Sequence, residues 1–134
     1  MVISGRADLQ QAYRDDTVAR DYVANRFLTP LGRLLHDSQV EVVRDIIRRH
    51  HPRTVAEIAP GPARVTVDVA PALDKLTIMD ASLQMLGEAR RRLTTAGTAA
   101  RVRLVQTDAF KLPVRGQHDL VYSFRLIRHF ERPA

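Results

Sequence analysis

The run Val55-Ala56-Glu57-Ile58-Ala59-Pro60-Gly61-Pro62-Ala63-Arg64 organises the rest of the chain. Its first part, Thr54 to Ala59, is short, β-branched and apolar, and reads as a strand. Pro60-Gly61-Pro62 stops that strand, because proline removes a ladder donor and glycine opens left-handed backbone. A short helix is expected from Ala63 towards Val69. Downstream the same unit repeats. Lys75 to Asp80 reads as a second strand, followed by an amphipathic helix from Ser82 to Leu93 with Leu83, Leu86, Ala89 and Leu93 on one side, ended by Gly97. Val102 to Thr107 reads as a third strand closed by Asp108, and Asp119 to Phe124 as a fourth, with a last helix beginning near Leu126.

Strand and helix in alternation are the pattern of an α/β fold with a parallel sheet flanked by helices. Such sheets take ligands outside the carboxyl ends of their strands, which directs attention to Glu57 through Gly61, Asp80, Asp108, Ser123 and Phe124. The chemistry there suits a nucleoside-type cofactor. Small residues in the first turn let a ligand approach the backbone. Asp80 stands 19 residues after Gly61, close to the ~20 expected of a mononucleotide-binding unit, and its carboxylate can accept from both hydroxyls of a ribose. A carboxylate after the third strand can accept from an adenine amine. Pro60 and Pro62 have no N–H to offer a phosphate, and no G-x-G-x-x-G is present, so a dinucleotide with its pyrophosphate is disfavoured. Each residue also has a plainer reading. Asp80 can cap the helix that begins near Ser82, Asp108 can form a turn before Leu112-Pro113, Met85 can be core, and Tyr13 and Tyr22 can be packing residues.

Four segments carry a family resemblance. Val55 to Arg64 resembles motif I of the class I S-adenosylmethionine-dependent methyltransferases. Asp80-Ala81-Ser82-Leu83-Gln84-Met85-Leu86 is similar to their second motif, Gln106-Thr107-Asp108-Ala109-Phe110 with Leu112-Pro113 to their third, and His118-Asp119-Leu120-Val121-Tyr122-Ser123-Phe124 to their fourth strand and its exit. The resemblance implies a Rossmann-like fold and S-adenosylmethionine as cofactor, with S-adenosylhomocysteine as product. By the same resemblance, Glu57 with Ala59, Pro60, Gly61 and Ala63 would hold the methionine part. Asp80, beside Ala81, would hold the ribose, Met85 would lie near the adenine, and Asp108 and Ala109 would bind the adenine edge. Ser123 and Phe124 would floor the transfer pocket, and Tyr13 and Tyr22 would belong to a cap over cofactor and substrate. The family more often has glycine where Ala59 and Ala63 stand.

Upstream, residues 1–6 read as a frayed end and Asp8 to Phe27 as a helix, with Tyr13, Ala19, Tyr22, Val23 and Phe27 forming an apolar stripe. Thr29-Pro30-Leu31-Gly32 reads as a break. Ser38 with Glu41 three residues on has the form of a capping box. The helix it would start has Val40, Val43 and Ile47 with Val42 and Ile46 as its buried face and ends near His50-His51-Pro52. This divides the chain into an N-terminal helical cap, residues 1–37, and a cofactor-binding domain, residues 38–134.

Composition bounds the rest. The chain has 134 residues, a formal charge of +6 and no cysteine. The lack of cysteine removes disulfides, thiolate metal sites and a cysteine nucleophile. All but Lys75 and Lys111 of the 21 basic residues are arginine. They are dispersed, which argues against a nucleic-acid partner. The run Arg90-Arg91-Arg92 reads as a solvated helix face, with an acidic or phosphate-bearing substrate as the minority reading. No metal-ligand grouping stands out, no apolar run is long enough to span a bilayer and no signal peptide is visible, so a cytoplasmic place is expected. His36 and His129 are the only acid–base candidates, and no catalytic residue is singled out. Methyl transfer from a sulfonium is an in-line displacement that needs mainly positioning.

The activity expected is methyl transfer to a small-molecule, lipid or glycan acceptor. No N/D-P-P-Y stands after the fourth strand, which disfavours amino groups of bases or glutamine. The competing readings are a non-catalytic remnant that binds a cofactor or a partner and needs a complementing chain, and, less favoured, a nicotinamide oxidoreductase. Class I methyltransferases have seven strands in the order 3-2-1-4-5-7-6, and four are recognisable here, so the resemblance implies the cofactor-binding half of a larger fold. The fourth strand would then be an edge, and a homo-oligomer or a complementing chain is expected there.

Overall fold

A computed structural model describes residues 16–113, 115–116 and 118–129. The expected frayed end, Tyr13 and the start of the first helix lie outside the described residues. Two helices come first, α1 (Asp16–Phe27) and α2 (Pro30–His50), followed by β1 (Val55–Ile58), α3 (Arg64–Val69), β2 (Leu76–Asp80), α4 (Leu83–Thr95), β3 (Val102–Gln106) and β4 (Leu120–Tyr122). Short 3-10 turns follow α3 (Ala70–Ala72), precede β3 (Ala99–Arg101) and follow β4 (Leu126–His129), the last standing where a helix was expected.

The four strands form one parallel sheet in the order β3-β2-β1-β4, the order that the resemblance implies. The chain runs outward from β1 to β3 and then crosses back to β4 on the other side of β1. Such a reversal opens a crevice at the carboxyl ends of the two strands it separates, here β1 and β4. Register sets alternate residues in rows across the sheet. Val102, Leu76, Val55 and Leu120 form one row, and Leu104, Ile78, Glu57 and Tyr122 the next. These rows pack on Val40, Val43 and Ile47 of α2, Val65 and Val69 of α3, and Leu86, Ala89 and Leu93 of α4. One row of that otherwise apolar face therefore contains a carboxylate. The opposite alternation is less covered: Val121 is 51% exposed, and so is much of Arg103.

The start of α2 differs from its sequence reading. The break is only Leu28-Thr29. Thr29 is the N-cap, its Oγ1 accepting from the Gly32 N–H at 3.1 Å, and Pro30 occupies the first turn, where its missing N–H costs nothing. Gly32 is inside the helix because a Cβ there would stand 2.7 Å from the Arg26 carbonyl oxygen and from the Phe27 Cα. It is a contact glycine that lets α2 pass close to the end of α1. Ser38 is in mid-helix, its hydroxyl donating to the Leu34 carbonyl, so the capping box does not form. Val42 is 56% exposed on the side of α2 away from Val40, Val43 and Ile47. Asp37 and Ser38, where cap and domain were expected to divide, are consecutive residues of this one helix. The helix ends as read, with His51 in the left-handed region. In α4, Ser82 is the N-cap, accepting from the Met85 N–H. Leu86, Ala89 and Leu93 are buried, while Leu83 is exposed.

Candidate functional site

The site is built around the turn from Ala59 to Ala63. Three of its residues have left-handed backbone: Ala59 (φ 55°), Gly61 (φ 59°) and Ala63 (φ 62°), alternating with the two prolines. Proline fixes its own φ near −65°, so Gly61 is confined between two rigid neighbours, and Ala59 and Ala63 each adjoin one. The Ala59 N–H donates to the Met79 carbonyl at 2.7 Å, and the Gly61 N–H donates to Asp80 Oδ2 at 3.0 Å. With Pro60 and Pro62 lacking donors, the turn directs the N–H groups of Ala59 and Gly61 inside the protein, onto β2 and its terminal carboxylate. Ala63 is fully buried with its methyl in the core, and a Cβ on Gly61 would meet nothing closer than Met85 Sδ, 3.9 Å away. The space beside Gly61 is open, and buried Met85 borders it.

Asp80 joins the turn to the next helix. Its Oδ1 accepts from the Ser82 N–H at 2.9 Å, so the helix-capping reading and the ligand-facing reading describe one carboxylate. Burial pushes its pKa up, opposed by the N–H groups of Ser82, Gly61 and Ala81. Ala81 is exposed beside it. One strand further out, the Thr107 N–H donates to the Asp80 carbonyl, which holds the start of the loop carrying Asp108 against the end of β2. Asp108 Oδ1 accepts from the Phe110 N–H at 2.9 Å, a turn in which Ala109 is the middle residue and only half-buried.

Glu57 lies under the turn. It is 3% exposed, and its Oε2 accepts from Thr66 Oγ1 at 2.6 Å and from the Tyr122 hydroxyl at 3.0 Å. Burial pushes its carboxyl up to about 7, against the pull of those hydrogen bonds and of Arg64. Burial and the Glu57 charge push the Tyr122 phenol up as well. Thr66 and Tyr122 escaped the sequence reading, since only the fold carries Tyr122 across to Glu57. On the other side of the crevice, Ser123 Oγ donates to the Ile58 carbonyl at 2.7 Å, tying the exit of β4 to the exit of β1. Phe124 is partly buried, its ring 5.9 Å from that of Tyr122.

The cap side contributes Tyr22 and Phe27, whose rings are 6.1 Å apart. Arg64, the first residue of α3, is 6% exposed and stacks on Phe27, with Cζ 3.8 Å from the ring centre. Burial lowers its pKa. Its Nη1 donates to His36 Nδ1 at 2.7 Å and its Nη2 to Gln39 Oε1. A guanidinium can only donate. His36 Nδ1 therefore accepts, and Nε2 carries the proton towards Asp68 Oδ2, 2.6 Å away. Both ring nitrogens of His36 are thus engaged in holding Arg64, and the candidate acid–base residue is a support for the arginine next to the turn. Nothing in the sequence signalled this, because Arg64 and Asp68 belong to α3 and His36 to α2, 28 residues before Arg64.

The Arg90-Arg91-Arg92 run divides. Arg90 and Arg91 are exposed, with Arg91 paired to Glu88, and Arg92 is half-buried. Among the described residues no group of three or more histidines and acids is placed to hold a metal, and no helix is long and apolar enough to cross a membrane.

Residues 55–134 match the family model described as "Methyltransferase domain". No curated protein matches the chain. Solved structures similar to it include a protein of Methanococcus maripaludis assigned as an S-adenosyl-L-methionine-dependent methyltransferase (TM-score 0.64, 18% identity, covering 98% of this chain and 57% of that one). A second is the O-methyltransferase TomG of Streptomyces achromogenes, involved in tomaymycin synthesis and solved with SAM (TM-score 0.60, 16% identity, 92% and 55%). A third is the glycopeptide N-methyltransferase MtfA, solved with sinefungin (TM-score 0.59, 22% identity, 69% and 39%). The chain thus spans between 39% and 57% of the length of these proteins.

Proposed function

The chain belongs to the methyltransferase domain family, and from that premise we propose that it binds S-adenosylmethionine and transfers its methyl group to a small-molecule, lipid or glycan acceptor. The observation that carries this reading is the junction of turn and carboxylate: Asp80 accepts from the Gly61 N–H, and the space that a Gly61 Cβ would enter is open as far as Met85 Sδ. A cofactor without phosphate fits that cradle. Two of the five residues in the turn have no N–H, and the donors of Ala59 and Gly61 are already engaged.

In this reading Glu57, Ala59, Pro60, Gly61 and Ala63 receive the methionine portion and Asp80 with Ala81 the ribose. Met85, Asp108 and Ala109 line the adenine side, Ser123 and Phe124 the floor, and Tyr22 with Tyr13 a cap formed by residues 1–37. When bound, the cofactor supplies an activated methyl group on a positively charged sulfur. The chain's own residues position and shield. Glu57, held near neutrality by burial, becomes a full carboxylate when an ammonium group approaches, because an opposite charge nearby favours the ionised form. Asp80 keeps lone pairs beyond the N–H bonds it accepts, so it can also accept from hydroxyls. Tyr122 and Thr66 fix the Glu57 carboxylate against β4 and α3, and Phe27 with Tyr22 closes one side to water. No general base is required unless the acceptor arrives protonated.

Calorimetric titration with S-adenosylhomocysteine and, separately, with NAD tests the assignment. Micromolar binding of the first and none of the second is expected, and the reverse order sinks the proposal. Asp80→Ala should weaken binding of S-adenosylhomocysteine by ~1–3 kcal/mol, the cost of leaving buried polar groups unpaired.

A second reading rests on β4, which among the described residues has one hydrogen-bonded neighbour, β1, and exposes Val121. An unprotected edge strand is a template for pairing, so the chain forms a homo-oligomer or accepts a complementing chain along β4, and without it binds cofactor but does not turn over. A monodisperse monomer by light scattering at high concentration, active alone, counts against this.

A further inference from the structure

The end of α1 and the exit of β4 meet at one buried ring. Arg64 Cζ lies 3.8 Å from the centre of Phe27, and Arg125 Cζ lies 5.4 Å from the same centre. Two like charges on one ring repel, and each needs an anion or water nearby. Arg64 is met by neutral partners, His36 Nδ1 and Gln39 Oε1. Among the described residues no carboxylate forms an ion pair or hydrogen bond with the Arg125 side chain, which is half-buried. Glu57, the carboxyl nearest in kind, is held up to about 7 and supplies only part of a charge at neutral pH.

The backbone adds a second observation. Arg125 has φ 70°, a left-handed conformation that a side chain with a Cβ adopts against a steric cost and that persists only where the surroundings impose it. The residue follows Ser123 by two positions, and Ser123 is bonded to the last residue of β1. Arg125 thus stands at the crevice between the exits of β1 and β4, on the side away from Asp80 and β2. The Arg125 guanidinium lies against the Phe27 ring, and a planar fork is the group best suited to a carboxylate or phosphate oxygen pair.

We propose that Arg125, with Arg64 against the same Phe27 ring, recognises an oxyanion on the methyl acceptor, so that the acceptor is a small acid bearing a carboxylate or a phosphate. This rests on the methyltransferase reading above, and it selects among the acceptor classes given there.

The test uses the full chain, labelled with nitrogen-15 and saturated with S-adenosylhomocysteine. Sodium benzoate and inorganic phosphate are titrated separately at constant ionic strength while the arginine Nε–Hε resonances are followed. One resonance should move saturably with benzoate, with phosphate or with both. The anion that moves it identifies the source of the charge on the acceptor. In Arg125→Gln that resonance is lost, and the remaining shifts should need about tenfold more anion, the loss expected for a charge-assisted bond. Arg125→Gly relaxes the backbone and should retain or raise stability while losing the anion response, which separates recognition from folding. Both variants should bind S-adenosylhomocysteine within about twofold of the parent chain. Equal anion shifts in parent and Arg125→Gln overturn the inference. So does a loss of about tenfold or more in S-adenosylhomocysteine affinity in both variants, which assigns the guanidinium to the cofactor's own carboxylate. Binding of S-adenosylhomocysteine with no anion response defeats this inference alone, whereas no binding of S-adenosylhomocysteine by the parent chain defeats the cofactor reading and this inference together.

Discussion

Thr29-Pro30-Leu31-Gly32 and Ala59-Pro60-Gly61-Pro62-Ala63 look alike on paper, since both are short proline–glycine interruptions between regular segments. The structure uses them in opposite ways. In the first, proline starts a helix, threonine caps it, and the glycine is required because another backbone is 2.7 Å from where its Cβ would be. In the second, prolines alternate with left-handed residues, and a Cβ on the glycine would meet nothing closer than a flexible methionine sulfur. One glycine is selected by contact and the other by conformation. The first segment is anchored by packing, and the second is flanked by two carboxyls, buried Glu57 and half-buried Asp80.

Substitutions can break this contrast. The largest effect is expected at Gly32→Ala, where the obstructing atoms are backbone and cannot turn aside. A loss of about 3 kcal/mol in unfolding free energy, the upper end for overpacking, should appear as a lower urea midpoint. A change below half that value means that α1 and α2 shift apart easily. Next comes the carboxyl beneath the turn. Burial raises Glu57 from an ordinary 4.5 to about 7, so between those values the folded chain holds a proton that the unfolded chain has released. The contribution of Glu57 to stability is then greatest below about 4.5, falls as pH rises through that window and levels off above it. Its total fall is about 3 kcal/mol. Glu57→Gln should flatten this slope in urea titrations at pH 5 to 8, and a slope that survives places the proton elsewhere.

Smaller effects sharpen the difference between the two glycines. Gly61→Ala should cost about 1 kcal/mol from its left-handed backbone alone, and Thr29→Ala about 1 kcal/mol from the lost cap, both read from thermal midpoints. The smallest are expected at the two alanines of the turn. Ala59→Gly should stabilise by up to about 1 kcal/mol by releasing left-handed strain. Ala63→Gly should be near neutral, because relief of the same strain is offset by losing a methyl from the core. If both alanine variants stabilise equally, the Ala63 methyl contributes nothing to packing.

Much of the scaffold was legible residue by residue. The four strands, the short helix after the turn, the start of α4 near Ser82 and the end of α2 at His51 follow from local pattern, and each was bounded within a residue or two. The errors share a cause. Ser38 with Glu41 satisfies the form of a capping box, yet the helix had already begun eight residues earlier, at Pro30, because a proline at a helix start and a proline at a break have the same letters. Val42 and Leu83 fit apolar faces by spacing, but the structure leaves both exposed. In the candidate site, the turn, Asp80 and Ser123 were singled out because they stand at strand exits, and Glu57 because it is an acid inside the first strand. Arg64, Thr66, Tyr122 and Arg125 received no role because their roles depend on who stands opposite.

What the sequence by itself determined is the succession of elements and the positions of the strand ends, since these depend on proline, glycine, caps and alternation over a few neighbouring residues. Only the tertiary structure decided which side chains share a space. Tyr122 reaches Glu57 because β4 pairs with β1 in a register that sets them side by side, His36 meets Arg64 because α2 packs on α3, and Phe27 gathers two arginines because Gly32 lets the helices close. Such meetings join residues that are remote in the chain, and no local propensity encodes them. They are fixed by strand register and by how closely two backbones can approach.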